Sequence, residues 1–175
     1  MLDMPDTTTK LIDVGAVLRA RMPSLKHYPA VLVRFLIWCL RTLVNEDRIN
    51  QFLQKHGYLN GFDFIDQVFD ELQLDYLVRH DEIKNIPVTG RVLIVANHPL
   101  GGLDGLALLR LIGKTRRDVS IIVNELLCNI NSLNSMFLPV DTFGGETHKA
   151  DLERIITALN QDRAVIIFPA GAVSR

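Results

Sequence analysis

The chain has 175 residues, 48% of them hydrophobic, and a formal net charge of −1 at pH 7. This length and apolar content predict one domain with a substantial core and an N-terminal helical segment. The near-neutral charge argues against nucleic-acid binding, and the start MLDMPDTTTK lacks the pattern of a secretory signal peptide. Cys39 and Cys128 form no CxxC pair, so neither a disulfide framework nor a zinc site is predicted.

The first part of the chain is predicted to be mostly helical. We place a boundary at residue 80, with 1–80 as an N-terminal helical, membrane-associated segment and 81–175 as an α/β domain. Hydrophobic periodicity and capping residues predict the local elements. These are helices over Leu11–Arg21, Pro29–Asn45, Asp47–Lys55 and Phe62–Leu72, with Asp47 as a cap, and a short strand at Tyr76–Arg79.

The stretch from Arg19 to Arg41 contains basic residues and no acidic one. Its predicted helix is broadly apolar and includes Trp38. A polar stripe is predicted at Arg34, Arg41, Asn45 and Arg48. This pattern is typical of a helix in a membrane interface, and equally of a core helix that covers an α/β layer. The longest uncharged apolar piece is far shorter than the ~20 residues that span a bilayer, so we predict a peripheral protein at the cytoplasmic face of the membrane.

Short apolar strands alternate with helical segments in the second part of the chain. This alternation predicts an α/β fold with a mainly parallel sheet flanked by helices. The first buried strand is expected to be central. The predicted strands are Val92–Ala96, Val119–Val123, Phe137–Val140 and Ala164–Phe168, the third of them as a short or edge strand. The predicted helices are Leu103–Ile112, Glu125–Ile130 and Leu152–Leu159, with a polar loop at Asn131–Ser135.

The first of these strands leads into NHPLGGLDG at residues 97–105 and then into a helix. Open α/β sheets place their chemistry at such strand-to-helix turns. His98 is a base that can take a proton from a hydroxyl, and Asp104 could fix its tautomer and stabilise the resulting cation. Gly101 and Gly102 allow the positive φ that would fold Asp104 back towards His98. The alternative is that Asp104 only caps the helix and His98 is a buried loop residue.

This turn resembles the His-Asp motif of the glycerolipid (lysophospholipid) acyltransferase superfamily, and the chain is most similar to its bacterial hemolysin-like branch. Further stretches fit in the same order: GFDFID at 61–66, PVDTFGG at 139–145 and FPAGAVS at 168–174. The resemblance implies transfer of a fatty acyl group to a hydroxyl or amine of a lipid or lipid precursor. The donor would be a thioester on coenzyme A or acyl carrier protein.

The same resemblance implies roles for particular residues. His98 would be the general base and Asp104 the residue that orients it, with no metal and no bound organic cofactor. The expected partners are the acyl donor, a lipid acceptor and a membrane surface, and no nucleic acid. The residues implied to contact substrate are Asn97, Pro99, Gly101, Gly102, Phe143, Gly144, Phe168, Pro169 and Gly171.

The sequence departs from the superfamily pattern in three places. Five residues instead of four separate His98 from Asp104. The region 140–143 lacks the arginine associated with an acceptor phosphate, and Ala170 and Ala172 stand where a glutamate is expected. The departures in these two later motifs favour one alternative function, a non-catalytic lipid- or partner-binding protein on the same fold. A second alternative is a His-Asp hydrolase that acts on water, with or without a metal.

The end of the chain leads to a further expectation. Arg175 follows Pro169 by six residues and ends the chain without a closing helix or a polar tail. An uncovered edge strand leaves backbone N–H and C=O groups unpaired, and the resembling families continue past this point. We therefore predict a truncated chain with incomplete walls around its site and low or no acyl transfer of its own.

Overall fold

The computed structural model describes residues 12–140 and 149–169. The chain divides into two compact units, Met1–Gly57 and Tyr58–Arg175. This division groups the helix at residues 61–72 with the sheet that follows it. The domain boundary predicted at residue 80 stays a prediction.

The described part of the first unit is helical, as predicted. Its elements are α1 (Val14–Arg21), a 3₁₀ helix (Pro23–His27), α2 (Ala30–Val44) and α3 (Glu46–His56). Asn45 joins α2 to α3 in a left-handed backbone conformation, with φ of 57°. Because α3 begins directly after this residue, Asp47 lies in the first turn of α3 and is not its cap, which corrects the prediction.

A polar cluster links the three helices of this unit. The Asp13 carboxylate caps α1 by accepting from the N–H groups of Gly15 and Ala16 at 2.8 and 3.1 Å. The Arg41 guanidinium donates to Asp13 Oδ1 at 2.8 Å and lies 3.2 Å from Glu46 Oε2. Its hydrogen bond holds the pKa of Asp13 below the usual value, with help from the capping N–H groups. A charge network therefore fastens the start of α1 to α2 and α3.

This cluster also corrects the predicted polar stripe. Arg41 points towards Asp13 and Glu46, and Arg48 lies on α3, so the basic residues do not form one face of a single helix. The solvent-exposed side chains of α2 are instead largely apolar: Val31, Leu32, Phe35, Leu36, Trp38 and Leu43. Within the described residues, every helix is too short or too polar to cross a bilayer.

The second unit contains a parallel sheet and its covering helices. Its elements are α4 (Gly61–Leu72), α5 (His80–Ile83), β1 (Val92–Val95), α6 (Gly102–Gly113), β2 (Val119–Asn124), β3 (Phe137–Val140), α7 (Lys149–Asn160) and β4 (Ala164–Ile167). Two 3₁₀ helices, Glu125–Asn129 and Asn131–Met136, connect β2 to β3. The strand order in the described chain is β1-β4-β2-β3, with parallel pairing throughout. The predicted α/β fold with a parallel sheet is confirmed.

Helices cover both faces of this sheet. Successive side chains of a strand point to opposite faces, so consecutive residues of β2 or of β4 contact helices on opposite faces of the sheet. On one face α6 packs so closely that a Cβ added to Gly105 would lie 2.9 Å from Ile121 Cδ1. On the other face Ala158 of α7 packs with Val165 and Leu138. The buried strands β2 and β4 thus form the centre of a three-layer core.

The position of β1 differs from the prediction. Within the described chain β1 pairs with β4 alone and forms one edge of the sheet, whereas the sequence placed it centrally and buried on both faces. The side chains of Leu93 and Val95 are 48% and 61% exposed. An unbroken apolar run does not distinguish an inner strand from an edge strand, because strand order depends on long-range pairing.

Two shorter predictions are also wrong. The segment Tyr76–Arg79 forms no strand; its Tyr76 ring instead meets Phe69 of α4 edge-on at 5.9 Å. The predicted polar loop at Asn131–Ser135 is a 3₁₀ helix, and it buries Leu133 and Met136 against the rest of the unit. In both places side-chain packing overrides the local signal.

A buried arginine joins the loops at the amino ends of three strands. The side chain of Arg116 is 2% exposed and forms a two-pronged hydrogen-bonded pair with Asp118, both bonds 2.7 Å long. Arg116 also donates to the carbonyl oxygens of Pro87, Gly90 and Asp162. The paired charge and these acceptors compensate the cost of burying a guanidinium. This network fixes the entry of β1, β2 and β4 into the sheet.

Candidate active site

The candidate site lies at the carboxyl ends of β1 and β4. The Ala96 N–H donates to Ile167 O at 3.2 Å and continues the pairing of the two strands by one residue. His98 follows β1 and Phe168 follows β4, so parallel pairing brings them to the same edge of the sheet. Their rings stack with centroids 4.1 Å apart and an angle of 22° between the planes. The stacked Phe168 restricts the orientation of the imidazole.

His98 and Asp104 come together as the turn sequence predicts. The distance from His98 Nδ1 to Asp104 Oδ2 is 3.4 Å, and the two side chains are 20% and 16% exposed. Such pairs are often long in the free protein and tighten when substrate binds. The pair is largely shielded from water yet open on one side, which suits a base that must reach a substrate.

The backbone of the turn holds the carboxylate in place. Gly101, with φ of 69° and ψ of −138°, precedes α6 and turns the chain back towards His98. Gly102 is the first residue of the helix and does not adopt a positive φ, which corrects part of the prediction. The Leu100 N–H donates to Asp104 Oδ2 at 2.7 Å, so the oxygen that faces His98 is itself held by the backbone.

Asp104 also holds the turn that precedes its helix. It lies in the first turn of α6, where a negative charge is stabilised by the helix dipole. Its hydrogen bond comes from the Leu100 N–H, one residue before the N-cap Gly101, and no side chain caps the helix itself. This contact leaves Oδ2 within 3.4 Å of His98, so the same carboxylate can hold the turn and orient the base.

Gly105 is a site residue that the sequence did not single out. A Cβ at this position would lie 2.9 Å from Ile121 Cδ1 and 3.8 Å from Phe168 Cε2. The absence of a side chain lets α6 approach both β2 and the ring that stacks on His98. The sequence did carry a signal for this residue, because a glycine inside an apolar helix costs stability and therefore needs a structural reason.

The predicted contact residues within the described chain are brought together. Asn97, Pro99, Gly101 and Gly102 share the turn with His98, and Asn97, Pro99 and Gly102 are exposed. Phe168 and Pro169 follow β4 at the same edge. Exposed apolar side chains occur at both ends of this turn, namely Val95, Leu100 and Leu103. The predicted residues Phe143, Gly144 and Gly171 lie outside the described residues.

Other chemistries have less support in the described structure. Nowhere in residues 12–140 and 149–169 do three His, Cys, Asp or Glu side chains gather as metal ligands would. Burial raises the pKa of the Cys128 thiol above its ordinary value, with Glu125 adding to the effect. A raised pKa disfavours the thiolate, which is the nucleophilic form. The His98–Asp104 pair thus remains the candidate for proton transfer.

Comparison with known proteins identifies the family of the chain. A family model described as Acyltransferase matches residues 16–175. The chain is 32% identical to a lyso-glycine lipid O-acyltransferase of Phocaeicola vulgatus and 34% identical to one of Bacteroides thetaiotaomicron, each over 174 residues. These matches cover 98% of this chain but 60% and 61% of the relatives, so the chain spans about three-fifths of their length. No solved structure matches the chain.

Proposed function

The chain belongs to the acyltransferase family, and from that membership we propose that it transfers a fatty acyl group from a thioester donor to the hydroxyl of a lipid acceptor. The observation that carries this proposal is the His98–Asp104 pair at the carboxyl edge of a parallel sheet. Active sites of open α/β proteins occur at this edge.

The geometry suggests which nitrogen acts as the base. Asp104 Oδ2 faces Nδ1 of His98, so the neutral ring would carry its proton on Nδ1 and leave Nε2 unprotonated, as a general base requires. The carboxylate would then stabilise the imidazolium that forms during the reaction. Phe168 keeps the ring in the plane that this contact requires.

The reaction then proceeds in two steps. Nε2 of His98 takes the proton of the acceptor hydroxyl while its oxygen attacks the thioester carbonyl, and a tetrahedral oxyanion forms. The carbon–sulfur bond then breaks, the carbonyl is restored, and the imidazolium returns its proton to the leaving thiolate. The products are an ester and a free thiol, and His98 is neutral again.

The oxyanion needs hydrogen-bond donors placed in advance. The first N–H groups of a helix have no acceptor within the helix, and those of Gly102 and Leu103 occupy this position in α6. Among the described residues, no heavy atom beyond the adjoining residues and the backbone of the helix itself lies within 4 Å of the point that a Cβ on Gly102 would occupy. A substrate can therefore approach the backbone closely here, which supports these two N–H groups as the oxyanion site.

We propose a lyso-glycine lipid as the first acceptor to test, because both relatives carry that substrate in their names. The region 140–143 has no arginine to hold an acceptor phosphate, which favours an acceptor without one. Coenzyme A and acyl carrier protein are both proposed as carriers of the acyl group. The exposed apolar side chains of the turn and of α2 support a peripheral position at the cytoplasmic membrane face.

The test is a single-turnover assay with the 175-residue chain in excess over lyso-glycine lipid, supplied with acyl-CoA or acyl carrier protein thioester. Mass spectrometry should detect the O-acylated lipid, and a thiol reagent should detect equimolar free thiol. His98→Ala should abolish both signals, whereas His80→Ala, at an exposed histidine of the same unit, should not change them.

Two results would contradict the proposal. Equal product from His98→Ala would exclude His98 as the base. Release of free fatty acid in place of acylated lipid would identify a hydrolase, since water would then be the acceptor. Comparison of the two donors determines which carrier is used.

A further inference from the structure

An open cleft of about 500 Å³ lies in the first unit, apart from the residues of the candidate active site. It is formed by the end of α1, the 3₁₀ helix and the beginning of α2. Its apolar lining includes the buried side chain of Leu25 together with Met22, Val33 and Tyr28. Three cationic side chains, Arg19, Lys26 and Arg34, also line the cleft.

The cleft concentrates positive charge. All three cations are exposed, and within the described residues none of them forms an ion pair with a carboxylate. The acids Asp13 and Glu46 of the same unit both face Arg41 and do not line the cleft. The local field of the cleft therefore favours an anion, although the whole chain is nearly neutral.

An exposed apolar surface adjoins the cleft on α2. Arg34 and Trp38 are four residues apart and so lie on the same side of the helix. Trp38 is 61% exposed, and its ring lies 6.0 Å from that of Phe35. Cations beside exposed aromatic and aliphatic side chains are the composition of a helix that lies at a lipid headgroup layer.

We propose that this cleft binds the headgroup of an anionic phospholipid while the exposed residues of α2 enter the interface beside it. Charge complementarity selects the anion, and the adjoining apolar surface selects a lipid over a soluble phosphate or a nucleic acid. The proposal rests on the first unit alone and does not require acyl transfer. Its failure can therefore be told apart from failure of the catalytic proposal.

The test uses the single tryptophan of the chain as a local probe. The 175-residue protein is titrated with vesicles of phosphatidylcholine, alone or mixed with phosphatidylglycerol, while Trp38 emission and co-sedimentation are recorded. Mixed vesicles should shift the emission to the blue and sediment the protein more strongly than neutral vesicles do. Equal binding to both vesicles, or the same emission change with inorganic phosphate alone, would overturn the proposal.

A matched pair of double variants tests the cleft itself. Lys26→Gln with Arg34→Gln removes two charges from the cleft, whereas Lys55→Gln with Arg48→Gln removes the same charges from exposed positions of α3. Each charge near an anionic surface contributes about fivefold to binding, so the cleft pair should weaken partitioning by about 30-fold.

The control pair should weaken partitioning less than the cleft pair does, because its charges lie outside the cleft and act only through the general field of the protein. If both double variants lose the same amount of vesicle binding, only net charge matters and the proposed headgroup site is wrong. Circular dichroism melts should coincide with the wild type, since the altered side chains are exposed in the described structure. A cleft double that melts normally and still binds like the wild type would also overturn the proposal.

Discussion

Replacement of Asp104 separates its two roles. The carboxylate accepts from the Leu100 N–H at 2.7 Å and lies 3.4 Å from His98 Nδ1. Asp104→Asn keeps one oxygen, and because Oδ2 faces both the Leu100 N–H and His98 Nδ1, that oxygen keeps both contacts while the negative charge is lost. Asp104→Ala removes both contacts. The asparagine variant should therefore lose the charge that stabilises the imidazolium and keep the turn in place, and the alanine variant should lose both.

The distance to His98 sets the expected size of the catalytic effect. Opposite charges 3.4 Å apart attract by about 5 kcal/mol at an effective dielectric of about 20 and by about 1 kcal/mol at about 80. Because the two side chains are 20% and 16% exposed, the lower dielectric is the better guide. Loss of this attraction in the transition state should slow transfer by about 10³- to 10⁴-fold in Asp104→Asn. Loss of the hydrogen bond to Leu100 in Asp104→Ala should also cost about 1 kcal/mol of folding free energy.

Three measurements separate these outcomes. Single-turnover rates report the catalytic loss, and denaturant unfolding reports the free energy of unfolding. Long-range nitrogen–proton NMR of labelled histidine, with His98→Ala to assign the signal, should show the proton on Nδ1 in the wild type and in Asp104→Asn. If Asp104→Asn keeps the wild-type rate, the charge of Asp104 has no part in catalysis and the proposed mechanism is wrong.

Further predictions concern stability. Gly101→Ala should destabilise the protein by about 1 kcal/mol because its φ is positive, while Gly102→Ala should leave the unfolding midpoint within error but slow transfer if substrate approaches that backbone. If the two variants unfold at the same midpoint, the assignment of a positive φ to Gly101 and not to Gly102 is wrong. The Arg116 hydrogen bond lowers the pKa of Asp118, so its contribution is present at neutral pH and lost as pH falls through the folded pKa. Asp118→Asn should therefore flatten the acid limb of stability against pH in denaturant titrations, and the exposed control Asp70→Asn should do so less.

Most of the secondary structure could be predicted because its signals are local. The helices of the first unit, β2 and β4 follow from apolar periodicity and from the Gly and Pro residues around them. The edge position of β1 could not be predicted in this way. Val92–Val95 is as apolar as an inner strand, and only its pairing with β4 alone in the described sheet exposes Leu93 and Val95.

The site shows the same division between local and long-range information. His98 and Asp104 share one turn, so their approach could be predicted from glycine placement and the resemblance. The stacking of Phe168 on His98 depends on which strand lies beside β1, a feature of the whole sheet. The need for glycine at position 105 depends on Ile121 of another strand, so the residue type alone did not explain it.

The two ends of the sheet together account for the geometry of the site. At the amino ends, Arg116 ties the loops before β1 and β4 to Asp118 next to β2. From there the two strands run in unbroken parallel register, from Val92 opposite Ala164 to Val95 opposite Ile167. Because this register leaves little freedom for one strand to slide along the other, the residues after both strands are held at the same height. His98 and Phe168 can therefore stack although the turn that contains His98 is exposed and includes two adjacent glycines. The sheet therefore fixes the position of the His98 ring, and the turn has only to bring Asp104 close to that ring.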